Sequence, residues 1–109
     1  MSEREVRIAK TEALFRDVNE RIAETSGRFD ADEAEFMCEC ADAGCAERLH
    51  LPLDEYEEVR ENPTTFVVNP EHAVPDVETV VKRRRGYAIV QKIDAVVARV
   101  VRQLDPRAA

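Results

Sequence analysis

The chain has 109 residues, 44% of them apolar and 36% charged, with a formal net charge of −7. That length suits one ordinary domain, and an acidic field of this size repels nucleic acid and anionic membrane at long range. No apolar run approaches the ~20 residues needed to cross a bilayer, and the charged start MSEREVRIAK lacks the apolar stretch of a secretion signal, so the expected compartment is the cytoplasm.

Residues 3–25 contain no Gly or Pro and repeat with helical spacing. Ile8, Phe15 and Ile22 recur every seven residues, with Thr11, Val18 and Thr25 at the alternate seam position. This predicts an amphipathic N-terminal segment, residues 1–26, that ends at Ser26-Gly27. Acids and arginines fill its other faces, and Arg16 is expected in solvent.

Residues 27–34 read as an acidic connector, and a zinc-binding α+β unit is expected over residues 35–92. Residues 35–40 and 45–51 form the two strands of a predicted hairpin, turned at Ala41-Asp42-Ala43-Gly44. The second strand alternates, with Ala46, Arg48 and His50 on one side and Glu47, Leu49 and Leu51 on the other. Pro52 ends it, and Asp54-Glu55-Tyr56-Glu57 resembles a capped helix start. That helix is short, since Asn62-Pro63 must stop it. The β-branched Thr64–Val68 run reads as a strand, followed by a loop over residues 69–76. A second hairpin spans Val77–Lys82 and Tyr87–Lys92 with its turn near Gly86. Ile93, Val96, Val97, Val100, Val101 and Leu104 then follow the spacing of a helix face, giving a C-terminal helix over residues 93–105. The predicted class is therefore α+β: two β-hairpins with a zinc knuckle, a short central helix and amphipathic helices at both termini.

The chain has three cysteines, an odd number that a self-contained disulfide framework cannot use up. Cys38, Cys40 and Cys45 are spaced C-x-C-x4-C. On a strand, positions i and i+2 share a face with Cα atoms ~6.6 Å apart. Side-chain rotation brings two thiolates from there to the ~3.7 Å separation found on tetrahedral zinc. A four-residue turn returns Cys45 beside them, and three soft sulfurs suit Zn2+ rather than Mg2+ or Ca2+. The alternatives are a redox-active thiol pair and inert buried cysteines. A wholly buried run is not expected to alternate with Glu39 and adjoin Asp42.

A structural zinc site takes four protein ligands. His50 lies five residues along the second strand, ~16 Å from the closed end. His72 sits in the loop over residues 69–76, where its side chain is free to reach the hairpin. His72 is the expected fourth ligand, which would tie the two halves of the unit together and close the coordination sphere to water.

The string Phe36-x-Cys38-x-Cys40-x4-Cys45, then Glu55-Tyr56-x-x-Val59-Arg60, Phe66-x-Val68, His72 and Val90-x-Lys92, is similar to a group of small zinc-knuckle-like proteins of high-GC Gram-positive bacteria. Those also carry a helix like residues 12–22. The resemblance covers most of residues 12–92; it implies the same organisation with His72 as a shared element, and brings no activity with it.

The basic run Lys82-Arg83-Arg84-Arg85 reads as a solvated hairpin tip that discourages edge pairing, with a nucleic-acid contact as the rival. No serine lies in a nucleophile motif, and the glycines stand singly. The functional expectation is a zinc-stabilised protein-interaction or regulatory module without catalytic activity. The alternatives are a nucleic-acid-associated regulator and a thiol redox sensor using Cys38 and Cys40. Both terminal stripes need cover, so a homodimer through the terminal helices is expected, with pairing of the two helices inside one chain as its rival.

Overall fold

A computed structural model describes residues 3–107. Among them the chain forms three α-helices and five strands in an α+β arrangement. Helix α1 spans Glu3–Arg28. It runs past Ser26-Gly27 because the left-handed stop is Asp30, at φ 55°. Ala31 N–H donates to Ser26 O at 3.0 Å and Asp30 N–H to Gly27 O at 3.1 Å, the paired bonds that close a helix end around a left-handed residue.

Strand β1 (Glu33–Met37) pairs antiparallel with β2 (Arg48–Pro52), setting Phe36 opposite Leu49 and Ala34 opposite Leu51. Leu49 and Leu51 are buried while Arg48 and His50 are exposed, as the alternation predicts. The strands are shorter than expected, and the cysteines lie on the loop of residues 38–47 between them. Helix α2 (Leu53–Val59) starts directly after Pro52 with no side-chain cap, so the capping box expected at Asp54-Glu57 is not formed.

Strands β3 (Thr65–Val68), β4 (Glu78–Arg84) and β5 (Tyr87–Lys92) make an antiparallel sheet in the order β3-β5-β4. Gly86 turns the β4–β5 hairpin at φ +88°, where a side chain would be strained, and a bulge at Val81 interrupts the register. Lys82 and Arg84 at the hairpin tip reach Glu58 (3.5 Å) and Glu55 (3.3 Å) on α2. Half of the basic run is thus engaged with the acidic helix face. Helix α3 (Ala95–Gln103) is capped by Asp94, whose carboxylate accepts from Val96 and Val97 N–H at 2.9 Å each. Ile93 falls outside the helix and is exposed.

One apolar core draws on all of these pieces. Ile8, Ala9 and Ala23 from α1 join Phe36, Leu49 and Leu51 of the first hairpin, Tyr56 of α2, Phe66, Val68 and Val90 of the sheet, and Val97 and Val101 of α3. Helices α1 and α3 pack on each other within the chain. The buried face of α1 is rotated from the predicted seam. It includes Glu12, Arg16 and Asn19, while Val18 is exposed. Arg16, expected in solvent, is 1% exposed, because its long stem and planar head fill space over the Phe66 ring, 3.5 Å from the ring centre. Among the described residues no helix is long and apolar enough to cross a membrane.

Candidate metal centre

Two short connections build the site. The first, residues 38–47, leaves β1 in an extended conformation that attaches at once to its surroundings: Cys38 N–H donates to Glu47 O at 3.1 Å and Glu39 N–H to Val67 O of β3 at 2.8 Å. Asp42 then turns the chain, its carboxylate accepting from Gly44 N–H at 2.9 Å and its carbonyl from Cys45 N–H at 3.0 Å. The expected turn at residues 41–44 is present, and it delivers Cys45 back toward Cys38 and Cys40. The second connection follows β3. Asn69 caps a single 3-10 turn, Pro70–His72, by accepting from Glu71 N–H at 2.9 Å. That turn swings His72 over the cysteines.

The four ligand atoms of Cys38, Cys40, Cys45 and His72 lie within 4.8 Å of one another. His72 Nδ1 stands 3.5 Å from Cys38 Sγ and 3.6 Å from Cys45 Sγ. A tetrahedral zinc with Zn–S near 2.3 Å and Zn–N near 2.05 Å requires an S···N edge of about 3.5 Å. Those two edges match this value and every other pair lies within 4.8 Å, a group of a size to surround one metal ion and too tight to enclose a polynuclear iron–sulfur cluster. A group of three sulfurs and one imidazole nitrogen could hold a metal ion, and its softness suits zinc. His50 lies elsewhere, at the rim of the first hairpin, with Nε2 2.7 Å from Glu33 Oε1.

All three cysteines are free thiols, and their surroundings differ. Cys38 and Cys40 are buried and Cys45 is half-buried. The neighbouring Cys40 sulfur and burial both push the Cys38 thiol's pKa up, and the same neighbour pushes Cys40 down. Burial raises Cys45. Asn69 N–H donates to Cys38 Sγ at 3.1 Å, a contact that would offset negative charge on a coordinating thiolate.

Glu39, between two of the cysteines, is fully buried. Its carboxylate accepts from Asn19 Nδ2 at 2.9 Å, Tyr56 OH at 2.9 Å and Val67 N–H at 3.1 Å. Asn19 is itself held by Met37, donating to its carbonyl at 2.9 Å and accepting from its N–H at 2.7 Å. The alternation that sends Cys38 and Cys40 to one side thus sends Glu39 to the other, into α1, α2 and β3. Glu39 was expected to mark a solvated run; three donors make its burial tolerable. The signal was in the sequence, since an extended C-E-C segment with both cysteines facing inward must put its middle residue on the opposite face.

No family model, curated protein or solved structure matches this chain.

Proposed function

We propose that the protein is a zinc-stabilised interaction or regulatory module of a reducing compartment, the cytoplasm, acting through contacts with other proteins. Cys38, Cys40, Cys45 and His72 hold one structural Zn2+. The observation that supports this most is the pair of sulfur–nitrogen edges, 3.5 and 3.6 Å, which match the tetrahedral value. Four protein ligands leave no position for water, which argues for a folding element over a catalytic ion. The ion would cross-link the loop of residues 38–47 to the turn after β3, and so clamp the first hairpin to the sheet. Pairing of Lys82 and Arg84 with α2 acids weighs against the nucleic-acid reading.

Elemental analysis of protein purified without chelator tests the proposal, and about one zinc per chain is the expected result. Cys45→Ser and His72→Ala should each lose metal and lower the thermal midpoint, while His50→Ala should keep both. Absence of zinc, or metal retained in His72→Ala and lost in His50→Ala, would overturn the site.

A further inference from the structure

Away from the cysteines, three ionisable side chains meet at the centre of the fold. Lys92 of β5 lies directly opposite Glu78 of β4 in the sheet register, and its ammonium pairs with the Glu78 carboxylate. From the other side α1 lowers Glu12 onto the same ammonium, with Lys92 Nζ 2.7 Å from Glu12 Oε1. The side chains of Glu12 and Lys92 are fully buried and that of Glu78 nearly so. Glu78 has a second donor, Val74 N–H at 2.9 Å. Neither oxygen of Glu12 receives an aligned hydrogen bond. Two acids thus share one base, and Glu12 is the member left short of partners.

The charges facing Glu12 do not remedy this. Glu39 adds a further negative charge, from the loop after β1. Arg16, one turn along α1, gives its two terminal nitrogens to the carbonyls of Pro63 (2.7 Å) and Thr65 and stacks on the Phe66 face, and its Nε is left without a hydrogen bond rather than donating to Glu12. Helix α3 presents only Val97, Ala98 and Val101 on its buried side. An ionised carboxylate in such a place is costly unless it is paired and hydrogen-bonded, and the neutral acid avoids that cost.

We propose that Glu12 is a proton-operated latch on α1: its carboxyl stays protonated while the helix is seated on the sheet, and its ionisation at rising pH loosens the helix. Burial raises the Glu12 carboxyl to about 7, against the opposing pull of Lys92. The group therefore binds a proton more tightly folded than unfolded. Its stabilising contribution is full below the ordinary carboxylate value, shrinks as pH rises, and is gone once pH has passed about 7. A protein at intracellular pH would sit on the slope, so small changes in acidity would change how firmly α1 is held.

The test is urea unfolding of the metal-loaded full chain from pH 5 to 8, beside Glu12→Gln, which cannot ionise. The wild-type folding constant should fall on the order of a hundredfold more than the variant's across that window; histidine titrations are common to both chains and cancel in the difference. Parallel profiles would overturn the latch. A second measurement, independent of the variant's folding, is the 13C shift of the Glu12 carboxyl in the wild type. A midpoint near 7 supports the proposal, and one in the ordinary carboxylate range overturns it. Amide exchange corrected for intrinsic pH dependence should show α1 losing protection before β5 as pH rises, whereas equal loss in both would refute a latch confined to the helix.

Discussion

Arg16 shows how much one buried side chain can organise. Its guanidinium donates to Pro63 O at 2.7 Å and to Thr65 O, and lies 3.5 Å above the Phe66 ring. Burial lowers its pKa, yet an arginine remains charged in any protein setting, so the charge itself must be accommodated. The carbonyls of Pro63 and Thr65 flank the start of β3 and depend on this donor. Arg16→Ala should therefore cost about 3 kcal/mol in urea unfolding, through unsatisfied carbonyls and a void over Phe66. Arg16→Lys should recover only part of that, because one ammonium cannot reproduce a planar fork stacked on a ring. A loss below ~0.5 kcal/mol, as for ordinary surface positions, would mean the side chain is solvated after all. Helical spacing alone could not have placed Arg16 inside. Periodicity ranks residues by polarity, and the buried stripe of α1 is polar at Glu12, Arg16 and Asn19. Their partners lie far off along the chain: Asn19 bonds 20 positions away to Glu39, and Arg16 bonds 47 positions away to Pro63. By contrast Cys38, Cys40, Cys45 and His72 were legible as a set, because few residue types bind soft metals and only two histidines competed for the fourth place.

Element types followed from periodicity, whereas element ends depended on backbone details that polarity does not encode. The end of α1 is the clearest case. Gly27 was read as the stop, but it sits inside the last turn, and a Cβ added there meets nothing within 4 Å. Asp30 instead adopts the left-handed conformation, which costs an L-residue on the order of 1 kcal/mol. Two substitutions should therefore stabilise the protein. Gly27→Ala removes backbone freedom from a helical position and should gain ~0.5–1 kcal/mol, and Asp30→Gly should gain a similar amount by relieving the left-handed residue. Exchanging the roles with Gly27→Ala and Asp30→Asn should retain most of the gain, since Asn tolerates that conformation better than most residues. If Gly27→Ala destabilises by thermal melting, the helix does not continue through that position. At the other end of the chain, the Asp94 cap is masked in the sequence because the apolar pattern starts one residue before it, at Ile93. Asp94→Ala should cost about 1 kcal/mol by freeing the N–H groups of Val96 and Val97. The cysteine loop ends β1 early for a related reason: Cys38 N–H still bonds Glu47 O beside β2, but at Glu39 the backbone crosses to Val67 of β3.

At the scale of the whole molecule, the question is what covers the terminal helices. A second chain was expected because one small domain seemed too small to hide both apolar stripes. The fold covers part of each. Ile8 and Phe15 on α1 and Val97 and Val101 on α3 are buried, and the two helices pack on each other within one chain. The outer face of α1 keeps Leu14 at 63% and Val18 at 41% exposure. Two side chains flanked by Arg7, Lys10, Asp17 and Arg21 make a small patch, well within what a monomer tolerates. The stripes alone no longer call for a partner, and the expected light-scattering mass at micromolar concentration is the chain mass, 12.4 kDa. Two substitutions separate the remaining arrangements. Phe15→Glu places a charge in the intramolecular core and should abolish cooperative unfolding and much of the helical circular dichroism. Leu14→Glu, one residue earlier, points outward and should change neither fold nor mass. A wild-type mass near twice the chain value, reduced to one chain by Leu14→Glu without loss of helicity, would instead establish a dimer built on the outer face of α1. A dimer unaffected by Leu14→Glu would place the contact elsewhere. In that case the exposed residues flanking α3, Ile93 at 58% and Leu104 at 42%, are the next positions to charge.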